Sequence, residues 1–395
     1  MTTSFADARR AAHRLGCEHH TRTGSATEVV PSDAAHGRVL AAPIRARATV
    51  PPTDTSAMDG WAVSGPGPWT LDGAVRMGQG PGCPLPSGSA RTITTGGSVP
   101  PGATAVLRSE CGSVRADVLT QDPDGTPLRP GTDVRHAGED VHRGDVVAQA
   151  GIRVSPAVVA AAAVVGTDEV EVVRAPRVTL VLIGDEVVLH GAPGPGQVRD
   201  AFGVSLPTVL EGLGLRVGAV EHLPDDREAV AHAVCTADTD LVVTTGGTGH
   251  GGCDHLVPAL LATGATVTAR GVAVRPGHPT VLARRRDGVP VLGLPGNPLA
   301  AMIALTALGL PLVAGLHGSP APPLLPRSAG RAIAGSPATT RLVAVSDRAR
   351  GVEPVPHQGP AMVHCLVGAD AVAVVPAEGV PAGGTVEVLA LPWHR

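Results

Sequence analysis

Acidic side chains beside glycine-rich turns are the residues of this chain with the most chemistry to offer. Three apolar runs in the middle of the sequence end in such turns: Ile183-Gly-Asp-Glu186, Thr244-Thr-Gly-Gly-Thr-Gly-His-Gly-Gly-Cys-Asp254 and Gly293-Leu-Pro-Gly-Asn-Pro298. Glycines at 246, 247, 249, 251 and 252 free the backbone to aim several N–H groups at one anion, and a helix opening near Asp254 adds its positive end. Gly246, Gly247, Gly249 and Gly251 are therefore candidate contacts for a phosphate or pyrophosphate, with a flexible turn as the plainer alternative. The run is not a Walker A loop, which requires Gly-Lys-Ser/Thr. Glu186 and Asp254, at two strand ends of one sheet edge, suit a hard cation such as Mg²⁺, which takes one or two carboxylates plus substrate oxygens. Each also has a bland reading, Glu186 as a solvated turn acid and Asp254 as a helix N-cap.

Other turns add candidates. Pro295, Asn297 and Pro298 form either a ligand contact or a proline-bracketed helix start. Arg275-Pro-Gly-His278-Pro279 places two cationic groups on a stiff turn, suited to an oxyanion or simply solvated. Asp59 stands at the apex of Ser56-Ala-Met-Asp-Gly60, although Asp-Gly is a common turn dipeptide. Thr95 in Thr94-Thr-Gly-Gly97 and Asp140 in Gly138-Glu-Asp140 sit in similar turns. His250, Cys253 and His255 match no closed zinc set, and Cys17-Glu-His-His20 reads as the exposed end of a helix.

The elements that position these groups follow from hydrophobic spacing. From Arg177 the chain alternates apolar strands (178–183, 215–221, 241–245, 289–294) with helical segments (201–213, 225–237, 256–262). That alternation predicts a parallel sheet covered on both faces, with ligands at the carboxyl ends of its strands. The uncharged run 299–316 is long enough to cross a membrane but holds Gly309, Pro311 and Gly315 and lacks basic flanks, so it reads as a buried core helix. Residues 46–139 are crowded with Gly, Pro, Thr and Ser between short β-branched runs and predict a β-rich insertion. The helical stretches 5–16 and 155–165 on either side are expected to close on each other. Four parts result: 1–45 plus 140–173 as a discontinuous helical domain, 46–139 as the insertion, 174–318 as the α/β domain and 319–395 as a small β domain.

Composition narrows the function. With 51 Gly and 38 Pro in 395 residues, the turn formers stop short of the roughly 25–30% that marks low-complexity disorder. Only two Phe, three Trp and no Tyr are present, which leaves little material for stacking nucleic-acid bases. A net charge of −4 gives no polybasic footprint for nucleic acid or membrane. All 31 basic residues are Arg, which excludes lysine nucleophiles and Schiff bases. Six scattered Cys without a C-x-x-C pair, and an N-terminus without an apolar signal core, fit a reducing cytoplasm. A small-molecule partner is expected.

Taken in order, these motifs resemble those of the MoeA/gephyrin-type molybdopterin molybdenumtransferases over nearly the whole chain. Ser56-Ala-Met-Asp-Gly-Trp-Ala62 resembles the family's S-A-M-D-G-Y-A, Thr95-Gly-Gly its T-G-A, and Gly138-Glu-Asp140 its G-x-D. Gly184-Asp-Glu186 is similar to T-G-D-E, Gly246 to Asp254 to G-G-x-S-x-G-x-x-D, and Leu294-Pro-Gly-Asn-Pro298 to L-P-G-N-P. The resemblance implies the four-part architecture above, with the α/β part binding molybdopterin, in a cytoplasmic homodimer whose cleft draws on both subunits. It implies Mg²⁺-dependent insertion of molybdate into adenylylated molybdopterin with release of AMP, and contact with molybdoenzymes or other cofactor-synthesis proteins. By motif, Asp59, Thr95, Asp140, Glu186, Asp225 and Asp254 would be cleft residues, with Asp59, Glu186 and Asp254 the metal ligands. The family's K-P-G-K-P stands here as Arg275-Pro-Gly-His278-Pro, a lysine four places upstream as Gly271, and the glycine-loop serine as Gly249. The competing expectations are a non-catalytic molybdopterin-binding paralogue and an enzyme acting on another phosphate ester.

Overall fold

The computed structural model describes residues 2–24, 26–123, 127–249 and 254–393. The chain divides into two compact units: Met1–Glu28 with Gly37–Val39 and Val173–Arg395, and a smaller one of Val29–His36 with Leu40–Val172.

In the larger unit, Arg177–Ile183 is buried at every residue after the first. It pairs in parallel with Arg216–Leu223 on one side and Leu241–Thr245 on the other, and Pro290–Leu294 continues the parallel set. The sheet is not wholly parallel as the sequence suggested. Val281–Arg284 and Pro290–Leu294 form a hairpin closed by Arg285 N–H donating to the Val289 carbonyl, and a hairpin is antiparallel by construction. Thr266–Arg270 then pairs antiparallel with Val281–Arg284, completing six strands. Helices Phe202–Gly212, Arg227–Thr236 and Leu256–Ala262 stand within two residues of their expected places. Asp226 caps the second by accepting from Ala229 N–H at 2.7 Å, which leaves Asp225 outside the helix.

The apolar run Pro298–Leu316 has the length and composition of a membrane span, yet 94% of it is buried inside the protein. It comprises Pro298–Ala304, a wider π turn Leu305–Gly309, and Leu310–Leu316. Pro311 has no N–H, so the Ala307 carbonyl four residues earlier loses its helical partner. Arg9 supplies the donor: its Nη1 reaches Ala307 O at 2.8 Å and its Nη2 reaches Pro322 O at 2.7 Å. Burial pulls the Arg9 guanidinium below its usual range, partly offset by Glu387.

The helix expected over 5–16 runs from Phe5 to Thr23 and joins the larger unit's core through Phe5, Ala8, Ala12 and Leu15. The 155–165 helix, as Pro156–Val164, belongs to the smaller unit, over Leu40, Ile44 and Val172, and the Phe5–Thr23 helix to the larger. What holds it is a glycine-on-glycine crossing. A Cβ on Gly16 would lie 2.2 Å from Leu312 O, and one on Gly315 would lie 2.3 Å from His13 O, so the backbones touch. The end of this helix is exposed at Glu18, Thr21, Arg22 and Thr23, as expected, but not at His19. His19 is buried and its Nε2 lies 3.3 Å from Asp240 Oδ1, while Arg174 Nη2 donates to Asp240 Oδ2 at 3.1 Å. Burial alone would raise the Asp240 carboxyl, but the His19 hydrogen bond, the Arg177 N–H and the Arg174 charge hold it down at about 2.

The C-terminal segment forms a mainly antiparallel sheet of Thr340–Arg348, Ala371–Val375, Thr385–Ala390 and Leu325–Ser328, extended by Gly351–Pro354 and, in parallel, by Val274–Arg275. The smaller unit holds a six-stranded sheet with Gly60–Val63 between Ala105–Arg108 and Ser89–Ile93. Trp69 fills its core and satisfies its ring N–H on Gly65 O at 2.9 Å.

Two measurements check these contacts. Gly315→Ala forces methyl against backbone that has no room to yield, so it lowers the thermal midpoint by a few degrees, about 1–3 kcal/mol. Gly212→Ala, at a helical glycine with open space around its Cβ, leaves it unchanged or slightly raised. Because the folded Asp240 carboxyl lies below its unfolded value of 3.8, its contribution is present above pH 3.8 and fades toward about 2. Asp240→Asn therefore costs about 2 kcal/mol at neutral pH, and the gap between variant and parent midpoints closes as pH falls from about 4 to 2.

Candidate functional site

The four parallel strands end at one edge of the sheet, and each ending is shaped by a turn residue. After Arg177–Ile183, Gly184 has φ +153°, and a Cβ there would come within 2.8 Å of Glu186 Oε2. Glycine thus lets the Glu186 carboxylate fold back over the strand end. Asp185 N–H donates to Asp225 Oδ2 at 3.4 Å, and Asp225 N–H returns a bond to Asp185 Oδ1 at 3.3 Å, fastening this end to that of Arg216–Leu223. After Leu241–Thr245, Gly246 (φ +82°) passes so close to Ile183 O that a Cβ would lie 2.5 Å from it. Gly249 N–H donates to Asp254 Oδ1 at 2.7 Å. Asp254 therefore closes its own loop and is not the N-cap; the helix starts at Leu256 with His255 in the cap position. Gly251, with His250, Gly252 and Cys253, lies outside the described residues. After Pro290–Leu294, Pro298 opens the next helix at its first turn, with Asn297 at the cap position and no cap bond from its side chain.

These turns enclose a cleft of about 570 Å³, lined by Glu186, Asp225, Asp254, Gly246, Gly247, Gly249, Pro295, Asn297 and Pro298. The volume falls within the roughly 300–1,000 Å³ of small-molecule sites, and its position beyond the strand carboxyl ends is where α/β sheets bind ligands. Apolar wall comes from Ile183, Val187, Val198 and Phe202, and Ala361 reaches in from the C-terminal segment. That segment is tied down by Ala300 N–H donating to Pro360 O at 3.0 Å.

Arg275 and His278 are placed elsewhere. Arg275 lies on the edge strand paired with Thr340 and Arg341, and His278 Nδ1 sits 2.8 Å from Val272 O. Neither lines the cleft, although Pro279 does. Gly271 has φ +83° and lies under the His278 ring, 3.3 Å from where its Cβ would be, so a side chain there would be strained. Conversely, the cleft includes Arg199 and Phe202, which sequence reasoning did not put in the site, and Asp200, which stands where the family resemblance implies an asparagine. Asp200 is buried and accepts from Phe202 N–H at 2.8 Å, from Gly203 N–H and from His222 Nε2. Burial acts to raise its carboxyl, but these donors outweigh it and hold it below the usual range. An acid just ahead of a helical run was the available signal.

The donor set can be tested against a metal. Among the described residues no three His, Cys, Asp or Glu side chains converge as a ready-made metal cage. Glu186, Asp225 and Asp254 instead line one cleft as separate carboxylates, which fits a Mg²⁺ that keeps water and takes phosphate oxygens, and does not fit a closed zinc site.

In the smaller unit, Asp59 Oδ1 accepts from Thr95 N–H at 2.6 Å and from Thr95 Oγ1 at 2.9 Å. The backbone bond first, then the hydroxyl, holds this exposed carboxyl below its ordinary value. Gly60 carries the turn at φ +156°, where a Cβ would strike Leu107 O. Asp140 is exposed, its N–H donating to Val50 O at 3.1 Å.

Three family models match the chain: the MoeA N-terminal region (domains I and II) at residues 3–166, the probable molybdopterin binding domain at 179–315, and the MoeA C-terminal region (domain IV) at 330–391. A molybdopterin molybdenumtransferase of Haemophilus influenzae is 33% identical over 305 residues, covering 74% of this chain and 73% of that one. Molybdopterin molybdenumtransferase 2 of Mycobacterium tuberculosis is 30% identical over 311 residues, covering 74% and 76%. The crystal structure of a molybdopterin biosynthesis MoeA protein from Pyrococcus horikoshii superposes with a TM-score of 0.77 at 25% identity, covering 99% of both chains. Fold, strand-end motifs and these relatives agree that the chain belongs to the MoeA family of molybdopterin molybdenumtransferases.

Proposed function

We propose that this protein inserts molybdate into adenylylated molybdopterin in a Mg²⁺-dependent step that releases AMP. The observation that carries the reading is the single cleft in which glycine backbone and three separate carboxylates, Glu186, Asp225 and Asp254, meet beyond the parallel strands. The Gly247 N–H, with no Cβ to keep an anion at a distance, suits the substrate's phosphates, the Gly246 N–H being taken by Leu294 O and the Gly249 N–H by Asp254. Pro295, Asn297 and Pro298 form a stiff wall that orients the pterin nucleotide. Glu186 and Asp254 would hold Mg²⁺; when bound, the ion supplies neutralisation of charge building on the phosphoryl oxygens. AMP would leave as a water oxygen attacks phosphorus and the phosphoanhydride bond breaks, beside the apolar wall of Val187, Val198 and Phe202. Asp59, Thr95 and Asp140 act in the same reaction from the smaller unit, and the active form is a homodimer that passes its product to other cofactor-synthesis proteins or to molybdoenzymes.

The test is AMP release from adenylylated molybdopterin by the purified protein with molybdate and Mg²⁺. Release stimulated by molybdate and abolished by a chelator is expected. Tight ligand binding without release would identify a carrier and overturn the enzymatic reading. Glu186→Gln and Asp59→Asn each lower the release rate by about 100-fold or more while the thermal midpoint stays within a degree or so; full activity in both would move the chemistry elsewhere.

A further inference from the structure

The charges lining the cleft are unevenly distributed. Four acidic residues, Glu186, Asp200, Asp225 and Asp254, line a cleft whose substrate, on the reading above, is itself an anion. Among the described residues lining it, the one cationic side chain is Arg199.

Arg199 is held there by local structure. It ends a two-stranded parallel ribbon in which Val187 pairs with Val198 and Val188 with Arg199. Val198 N–H donates to Glu186 O and Asp200 N–H to Val188 O, both at 2.9 Å, so one ribbon carries both Glu186 and Arg199. The guanidinium is steadied by a single nitrogen, Nη1, which donates to Val188 O at 3.2 Å and Asp200 O at 3.4 Å. Nε and Nη2 have no hydrogen-bond partner among the described residues. The neighbouring acid does not neutralise it, because the Asp200 carboxylate is occupied by Phe202 and Gly203 N–H and by His222. The result is a half-buried, unpaired guanidinium whose remaining edge offers the planar two-donor fork that fits a tetrahedral oxyanion.

We infer that Arg199 is the oxyanion-binding residue of this cleft. Its ligand is a tetrahedral oxyanion, either a phosphoryl group of the pterin nucleotide or the incoming molybdate. The inference rests on the proposed substrate class for its biological meaning, but its chemistry is open to direct measurement with simple anions. It also gives the cleft a cation that neither Arg275 nor His278 supplies.

The experiment measures binding of AMP alone and of molybdate alone to the full chain by calorimetry, for the parent, Arg199→Ala and Arg199→Lys, with AMP release followed in parallel. Arg199→Ala is expected to weaken one of the two anions by about tenfold or more, and Arg199→Lys to recover only part of that, since an ammonium lacks the fork. Loss confined to AMP assigns the phosphoryl group; loss confined to molybdate assigns the metal oxyanion. A folded Arg199→Ala protein that binds both like the parent overturns the inference, even if AMP release is robust. Anion binding that depends on Arg199, in a parent protein that releases no AMP, keeps the inference and overturns the proposed reaction. A parent protein that binds neither anion overturns it as well.

Discussion

The parallel pairing of Arg177–Ile183 with strands on both its sides is the constraint on which the site depends. A strand with Arg216–Leu223 and Leu241–Thr245 hydrogen-bonded along its two edges has no freedom to slip, because a shift would expose apolar residues buried on both faces. Parallel register brings the carboxyl ends to one side. Three strand ends bearing Gly184, Asp225 and Gly246 then lie within backbone reach, and the Asp185–Asp225 exchange and the Gly246–Ile183 contact are the local fastenings that follow. Asp225 is thus placed by a backbone exchange with Asp185.

How much of this could be read from sequence depends on whether the signal is local. Strand ends were legible because Gly and Pro punctuate apolar runs, and so were the helices between them, where Asp226 caps one and Pro298 opens another. The hairpin of Val281–Arg284 and Pro290–Leu294 was not, since its outer strand is four residues long and carries no alternation. Asp254 looked like a cap because an acid precedes a helix; only the fold shows its carboxylate turned to Gly249 N–H. Arg275 and His278 stood out as paired cations on a stiff turn, yet Val274–Arg275 pairs with the C-terminal sheet and the His278 ring faces Val272 O, so of that turn it is Pro279 that lines the cleft. Arg199 had no comparable signal, because its importance comes from which neighbouring charges are already satisfied. His19 was lost for the same reason, its partner Asp240 being distant in sequence.

The scarcity of aromatic residues finds its counterpart in how the cores are filled. The larger unit's main cluster draws on Leu, Val and Ala from helices and both sheets, with Phe5 and Phe202 as its buried aromatics among the described residues and Trp393 packed against it. Small side chains let backbones approach, and Gly16 against Gly315 is the extreme case. Such proximity demands that stray carbonyls be answered, which Arg9 does at Ala307. Arginine here works as a structural donor in the core and as an unpaired charge in the cleft, two uses of the same planar group.

That glycine crossing also governs the order in which the molecule is assembled. The helix that carries Gly16 leaves the ribosome before its partners, which lie some 300 positions later: His13 meets the Ser319 carbonyl across a separation of 306 residues. During synthesis the entire smaller unit emerges in between and can complete its own sheet from nearby strands, whereas Phe5, Ala8 and Leu15 have no surface to bury against. Closing so long a loop is slow and entropically costly compared with local pairing. The helix is therefore made well before it can dock, and until it does the nascent chain carries an apolar stripe.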